Sequence, residues 1–363
     1  MNRTQQSLIQ RFNLDPVLLS FIFTLLLFAQ LVLFSASGGS FALIQRQFLH
    51  IALASIIMVI LAQIQPRYFK QWAPYLYTFG ILLLIAVLII GHTGKGAQRW
   101  LNLGVVRFQP SELLKIACPM MLAFYLSNKQ LPLKNILVSG SFLIVPTLLI
   151  AKQPDLGTAM LIASSGLFVI FFAGIRWRYI ITAILTSMLL LPIVWLFLHD
   201  YQKQRIFTFF SPEKDPLGSG YHIMQSKIAI GSGGLLGKGW LNGSQAHLQF
   251  LPEKTTDFVF AVLGEEFGLF GAVILLIIYS LILLRCIDIS NKAQDTFSRL
   301  TAGSLSMAFF IYIFVNIGMV SGMLPVVGLP LPLVSYGGTS MVTIMAAFGI
   351  IMSIRSHRKL LDS

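Results

Sequence analysis

Ten apolar stretches constrain this chain more than any other feature, lying near 16–36, 48–65, 74–91, 112–127, 135–151, 156–175, 179–198, 257–284, 300–321 and 339–354. Each is close to the length of about 20 residues that carries a helix across the hydrocarbon of a bilayer. Lipid offers no hydrogen-bond partners, so a spanning backbone must satisfy itself as a helix or a closed barrel. The runs lack the strict alternation of barrel strands, which selects helices. Charged residues make up only 11% of the chain, whereas a soluble domain carries about 25%. The pattern predicts an all-α polytopic membrane protein of about ten helices, a single transmembrane domain over 1–363 with lipid as its solvent. Its connections are short apart from a moderate loop at 92–111 and a large outer loop at 199–256, between the seventh and eighth spans.

Charge sets the orientation. The termini and every second connection hold Arg3, Arg11, Arg67, Lys70, Lys129, Lys134, Arg176, Arg178, Arg285, Lys292, Arg299, Arg355, Arg358 and Lys359. The shorter loops of the other side hold only Arg46, Lys95, Arg99, Arg107 and Lys152. Basic residues collect on the cytoplasmic side, so both termini are expected there and the loops 92–111, 199–256 and 322–338 face outward. The net charge of +13 is thus an orientation signal. Basic residues scattered over short connections argue against a nucleic-acid partner. Glu112, Asp155, Asp200, Glu213, Asp215, Glu253, Asp257, Glu265 and Glu266 all fall on the outer side or in the outer part of a span, which places polar chemistry at the outer face.

Several residues there have two readings. Glu112 and Lys115 stand three apart and share a helix face. They read either as a structural ion pair, with Ser111 capping the helix, or as the lining of a site, since a lysine in lipid is costly unless paired or facing a cavity. Asp155, in "AKQPDLGTA", is placed to cap the sixth span, and Lys152 beside it to snorkel. "YHIMQSKIAI" has the spacing of a helix lying on the surface. "GSGGLLGKG" ends in Lys238 but lacks the ending of a nucleotide P-loop and follows no strand, although such a loop can approach a diphosphate closely. Asp257, where the outer loop meets the eighth span, reads as a helix cap or as a general base with a raised pKa. Glu265 and Glu266 point about 100° apart on a helix, so at least one is expected to be structural. "GMLPVVGLPLPLVSYGGTS" cannot be regular helix throughout and is expected to be a re-entrant or irregular outer segment.

The motifs "GAQRWLNLG…FQPSELLKI", "KQPDLGTA", "DPLGSGYH" with "IAIGSGGLLGKG", "FLPEKTTDFVFAVLGEEFG" and "GLPLPLVSYGGTS", in this order and over nearly the whole chain, resemble the SEDS family (shape, elongation, division and sporulation), and within it the rod-shape branch. The resemblance implies a peptidoglycan glycosyltransferase of the bacterial cytoplasmic membrane that polymerises lipid II at the outer face during elongation. It also implies a class B penicillin-binding protein as crosslinking partner, with other elongation-complex proteins. Asp257 matches the family's catalytic aspartate; Arg46, Arg99, Glu112, Lys115 and Asp155 match polar positions of its outer cavity. On this reading the transfer inverts the donor carbon by a single displacement, needing one base and a stabilised leaving group. Arg46, Arg99, Lys115 and Lys238 would face the undecaprenyl diphosphate leaving group, and Glu112 would hold Lys115. The cofactor is left open: a divalent cation such as magnesium or manganese could share the diphosphate's charge, but no ligand cluster in the sequence identifies one. A lipid-linked precursor flippase and a non-catalytic scaffold for the transpeptidase are the rival readings. A flippase would need polar groups through both leaflets, and the inner halves of the spans are almost purely apolar.

Overall fold

The computed structural model describes residues 13–94, 97–102, 107–127, 132–197, 200–215, 218–247 and 253–357. Helices overlap the ten apolar stretches, two of them starting seven or eight residues earlier than the stretch: α1 (Pro16–Ala36), α2 (Phe41–Gln63), α3 (Pro66–Ile90), α4 (Pro110–Leu126), α5 (Leu133–Lys152), α6 (Leu156–Phe172), α7 (Trp177–Phe197), then α11 (Val259–Asn291), α12 (Thr296–Val320) and α13 (Gly338–Ser356). Between α7 and α11 lie α8 (Asp200–Phe210), α9 (Ser219–Gly233) and the short α10 (Ser244–His247). Among the described residues, seven helices are long and apolar enough to cross a membrane: α1, α2, α3, α5, α11, α12 and α13. The chain is therefore a multi-pass membrane protein.

The core is where α4, α12 and α13 pack against α1, α2, α6 and α11, and it includes Leu18, Leu114, Leu122, Phe297, Phe309 and Phe348. By contrast α7 is exposed along almost all of its described length. An apolar cavity of about 650 Å³ separates it from α6, lined by Leu167, Phe171, Tyr179, Ile184 and Met188.

The structure departs from the sequence reading in four places. The 92–111 loop holds a small antiparallel sheet, β1 (His92–Gly94), β2 (Ala97–Asn102) and β3 (Arg107–Phe108), where only a loop was expected. Ser111 is not a cap: α4 starts at Pro110, whose fixed φ suits the first helical position and whose missing N–H needs no partner, and the capping position falls to Gln109. Asp257 lies two residues before α11, and no side chain caps that helix. Finally, α11 is not straight. Gly268 has φ +62, which breaks the helix.

That break explains the glycine-rich loop. The carbonyls of Glu265 and Glu266 accept from the backbone N–H groups of Lys238 and Gly239, both at 3.0 Å. In return Leu269 and Phe270 donate to Gly234 and Leu235, also at 3.0 Å. A Cβ at Gly237 would lie 2.1 Å from the Glu266 carbonyl oxygen, and one at Gly233 2.0 Å from that of Gly264. The glycines thus serve a backbone-to-backbone contact with a membrane helix rather than a phosphate cradle.

Candidate functional site

Three successive carbonyls of the turn before α11 are each taken by a donor. Tyr336 N–H donates to Thr255 at 2.8 Å, Ser335 Oγ to Thr256, and Asn316 Nδ2 to Asp257 at 2.9 Å. The donors come from α12 and from the segment 321–337, which is irregular, as its prolines predict, and buried at Leu329 and from Leu331 to Ser335. Its own conformation is fixed by Leu331 N–H donating to Ser335 Oγ at 2.8 Å and by the Tyr279 hydroxyl of α11 donating to Pro332 at 2.7 Å. Irregular backbone is tolerated at membrane depth where it is buried or lines a cavity. Phe258, 2% exposed, anchors the far end of the turn. The half-buried Asp257 carboxylate faces this segment: a Cβ at Gly328, where φ is +73, would lie 3.5 Å from Oδ2.

The other side of the same segment meets α6. A Cβ at Gly157 would fall 2.9 Å from the Val327 carbonyl oxygen, so the first turn of α6 abuts residues 327–329. Asp155 caps that turn through Thr158 N–H at 3.2 Å, accepts from Gln109 Nε2 at 3.2 Å, and pairs with Arg99 Nη1 at 3.8 Å. Arg99 on β2 also donates to the carbonyls of Gln153 and Pro154. The small sheet thus has a function in the site's geometry, since it delivers Arg99 to the Asp155 turn. Segment 327–329 therefore lies between Asp155 and Asp257.

Deeper in the bundle, Lys115 Nζ is 2.6 Å from Glu112 Oε1, and Glu112 Oε2 accepts from Thr343 Oγ1 of α13 at 2.8 Å. Both charges are buried, and Lys115 Nζ stands 5.2 Å from the centre of the Tyr312 ring on α12. Tyr312 is one turn from Asn316 on the same helix, so the pair sits beneath the Asp257 turn. Arg46 is exposed on α2, next to the fully buried Gln47, whose Nε2 donates to the Ser335 carbonyl at 3.4 Å.

Lys238 is held elsewhere. Its ammonium pairs with Glu265 Oε1 at 2.7 Å and donates to Ser244 Oγ at 2.9 Å. Glu265 is fully buried and also accepts from Ser244 Oγ at 3.0 Å and from Gln245 N–H. Glu266 accepts from Ser35 Oγ of α1. The two carboxylates nevertheless converge on one small residue, since a Cβ at Gly243 would lie 3.0 Å from Glu266 Oε1 and 3.1 Å from Glu265 Oε2. The loop residue Gly243 packs between the two side chains.

His222 on α9 stacks on Phe258, with ring centres 5.6 Å apart and planes at 24°. Burial holds its pKa below the ordinary value against the opposing pull of Glu253 and Asp215. Burial likewise lowers that of Lys254. Gln47, Asn316, Tyr312, Ser335, Thr343 and His222 were not among the residues expected from sequence. Among the described residues no group of three or more His, Cys, Asp or Glu side chains is arranged to hold a metal ion.

A helical membrane bundle with a partly buried irregular segment and with acidic and basic groups gathered at one end defines the class. The chain belongs to the family containing FtsW, RodA and SpoVE, described as cell cycle proteins, whose model matches residues 12–360. It is 53% identical over 364 residues to the peptidoglycan glycosyltransferase MrdB of Escherichia coli K12, covering 99% of this chain and 98% of that one. To the Helicobacter pylori MrdB it is 38% identical, covering 96% and 91%. Among solved structures it is similar to a chain of a peptidoglycan synthase complex described as coordinating polymerization and crosslinking (TM-score 0.84, 29% identity, covering 94% of this chain and 97% of that one). It is also similar to the rod shape determining protein RodA of Thermus thermophilus (TM-score 0.73, 26% identity, covering 95% and 97%).

Proposed function

We propose that this chain is a peptidoglycan glycosyltransferase that polymerises lipid II at the outer face of the cytoplasmic membrane, with both termini on the cytoplasmic side. The observation that carries the reading is Asp257. Its turn is pinned by three carbonyl hydrogen bonds, and its carboxylate is directed at Gly328 rather than spent on a helix cap. In the transfer, Asp257 takes the proton of the acceptor sugar's 4-hydroxyl as that oxygen bonds to the donor's anomeric carbon. The bond from that carbon to the diphosphate breaks with inversion, and the electron pair leaves on the diphosphate. Arg46, Arg99 and Lys115 supply positive charge toward it, with Glu112 and Asp155 orienting Lys115 and Arg99. Lys238 serves the loop-to-helix contact instead. A divalent cation, if used, would take its oxygens mainly from the diphosphate itself. The crosslinking partner is a class B penicillin-binding protein, a reading supported by the synthase complex to which the fold is similar.

Purified wild type and Asp257→Asn, each with and without a class B transpeptidase, should be given lipid II. Long glycan strands from the wild type and polymer formation slower by about 10²-fold or more in an equally stable Asp257→Asn are expected. Polymer made at the wild-type rate by the variant would remove Asp257 from the chemistry. A well-folded wild type inert even with a competent partner would turn the reading toward a flippase.

A further inference from the structure

Asn316 is fully buried in α12, one turn before the helix ends at Val320. Its Nδ2 donates to two carbonyls from separate parts of the chain, Asp257 at 2.9 Å and Leu329 at 2.6 Å. A primary amide carries two N–H groups on one uncharged nitrogen, so a single atom can hold two acceptors side by side. Oδ1 is buried and has no hydrogen-bond partner among the described residues. The reverse orientation would aim that oxygen at two other oxygens, so the two acceptors decide which way the amide faces. Packing alone does not ask for an amide here. A polar side chain within a membrane helix is costly, and an apolar residue would fill the same space.

The two carbonyls have a specific relation to the site. One belongs to Asp257 itself. The other belongs to the residue after Gly328, the glycine that the Asp257 carboxylate faces. Holding both from one nitrogen fixes the separation between the carboxylate and the wall opposite. We propose that Asn316 is a positioning residue that locks the Asp257 turn to segment 327–329, so that both sides of this gap move as one unit. The proposal rests on Asp257 being the base. A shift of this irregular segment is then transmitted directly to the carboxylate.

The test compares wild type, Asn316→Asp, Asn316→Leu and Asp257→Asn in the full-length protein. Asn316→Asp keeps the side chain's shape and removes both amide donors. The expected result is a fall in kcat of about 100-fold, the scale of an ångström misplacement, with KM for lipid II changed by less than about threefold. Hydrogen exchange of the backbone supplies a readout independent of turnover: in both Asn316 variants, peptides covering 253–260 and 326–336 should lose protection together. Wild-type kcat in a folded Asn316 variant would overturn the proposal, and so would loss of protection in only one of the two peptides. If Asn316→Leu does not fold, Asn316→Ser, which keeps one donor, replaces it and should unlock one peptide more than the other. Wild-type activity in Asp257→Asn would sink the base assignment, while the paired exchange result would still stand or fall separately.

Discussion

The two ends of the bundle use carboxylates in opposite ways. At the end formed by the start of α1 and the ends of α11 and α13, Asp15 caps α1 through Val17 and Leu18 N–H at 2.9 and 3.0 Å. The same carboxylate pairs with Arg285 at 3.0 Å and Arg355 at 2.6 Å, and its side chain is fully buried. One acid thus fastens three helices, and its charge is spent on doing so. At the other end Asp257 contributes its backbone to the architecture and turns its carboxylate toward a glycine. Where a carboxylate is saturated by caps and guanidinium groups it holds the fold. At Asp257 the main chain does the holding.

That contrast can be broken by mutation. Asp257→Asn should give the largest effect, a loss of polymerisation of about 10²- to 10⁴-fold with unchanged thermal stability in detergent, since a lost general base is worth that much. A drop in stability comparable to the drop in activity would put Asp257 in the same class as Asp15. Asp15→Asn should do the reverse. It should destabilise by up to about 3 kcal/mol, because the partly buried Arg355 loses its acid and Arg285 is left with Asp288 alone, while turnover per folded molecule stays near wild type. Lys115→Met lies between the two: Glu112 would be left buried and unpaired, so both unfolding temperature and the use of diphosphate-linked substrate should suffer. An effect on stability alone would move Lys115 to the architectural side. The smallest effect concerns pH. Because burial depresses the His222 pKa, its neutral form stabilises the fold fully above its ordinary value near 6.5, and this is lost as pH falls through the depressed value. In His222→Phe, which keeps a ring against Phe258, stability should fall less steeply on acidification; an identical slope would show that the histidine does not titrate with unfolding.

Much of this was readable from the residues because it depended on local spacing. Apolar runs set the helices, the Glu112 to Lys115 interval set their pairing, and the placement of Asp155 made it a cap. What was hidden depended on contacts between distant parts of the chain. Lys238 finds Glu265 only because α11 breaks at Gly268, and a glycine within an apolar run does not announce a break. Asn316, in "FVNIGM", is a lone amide in a span, a signal that its desolvation cost makes legible in principle. Its two acceptors, however, lie 59 and 13 residues away. The β2 strand was missed because six residues among glycines form a strand only when β1 and β3 pair with them.

The kink in α11 also divides the long loop mechanically. Freed carbonyls at Glu265 and Glu266 find their donors in Lys238 and Gly239, so peeling this stretch away would strand polar backbone at the membrane boundary. The stretch from 233 to 239 is therefore a splint on the helix, and it opens only when the helix itself frays. Movement of the long loop therefore hinges outside residues 233–239.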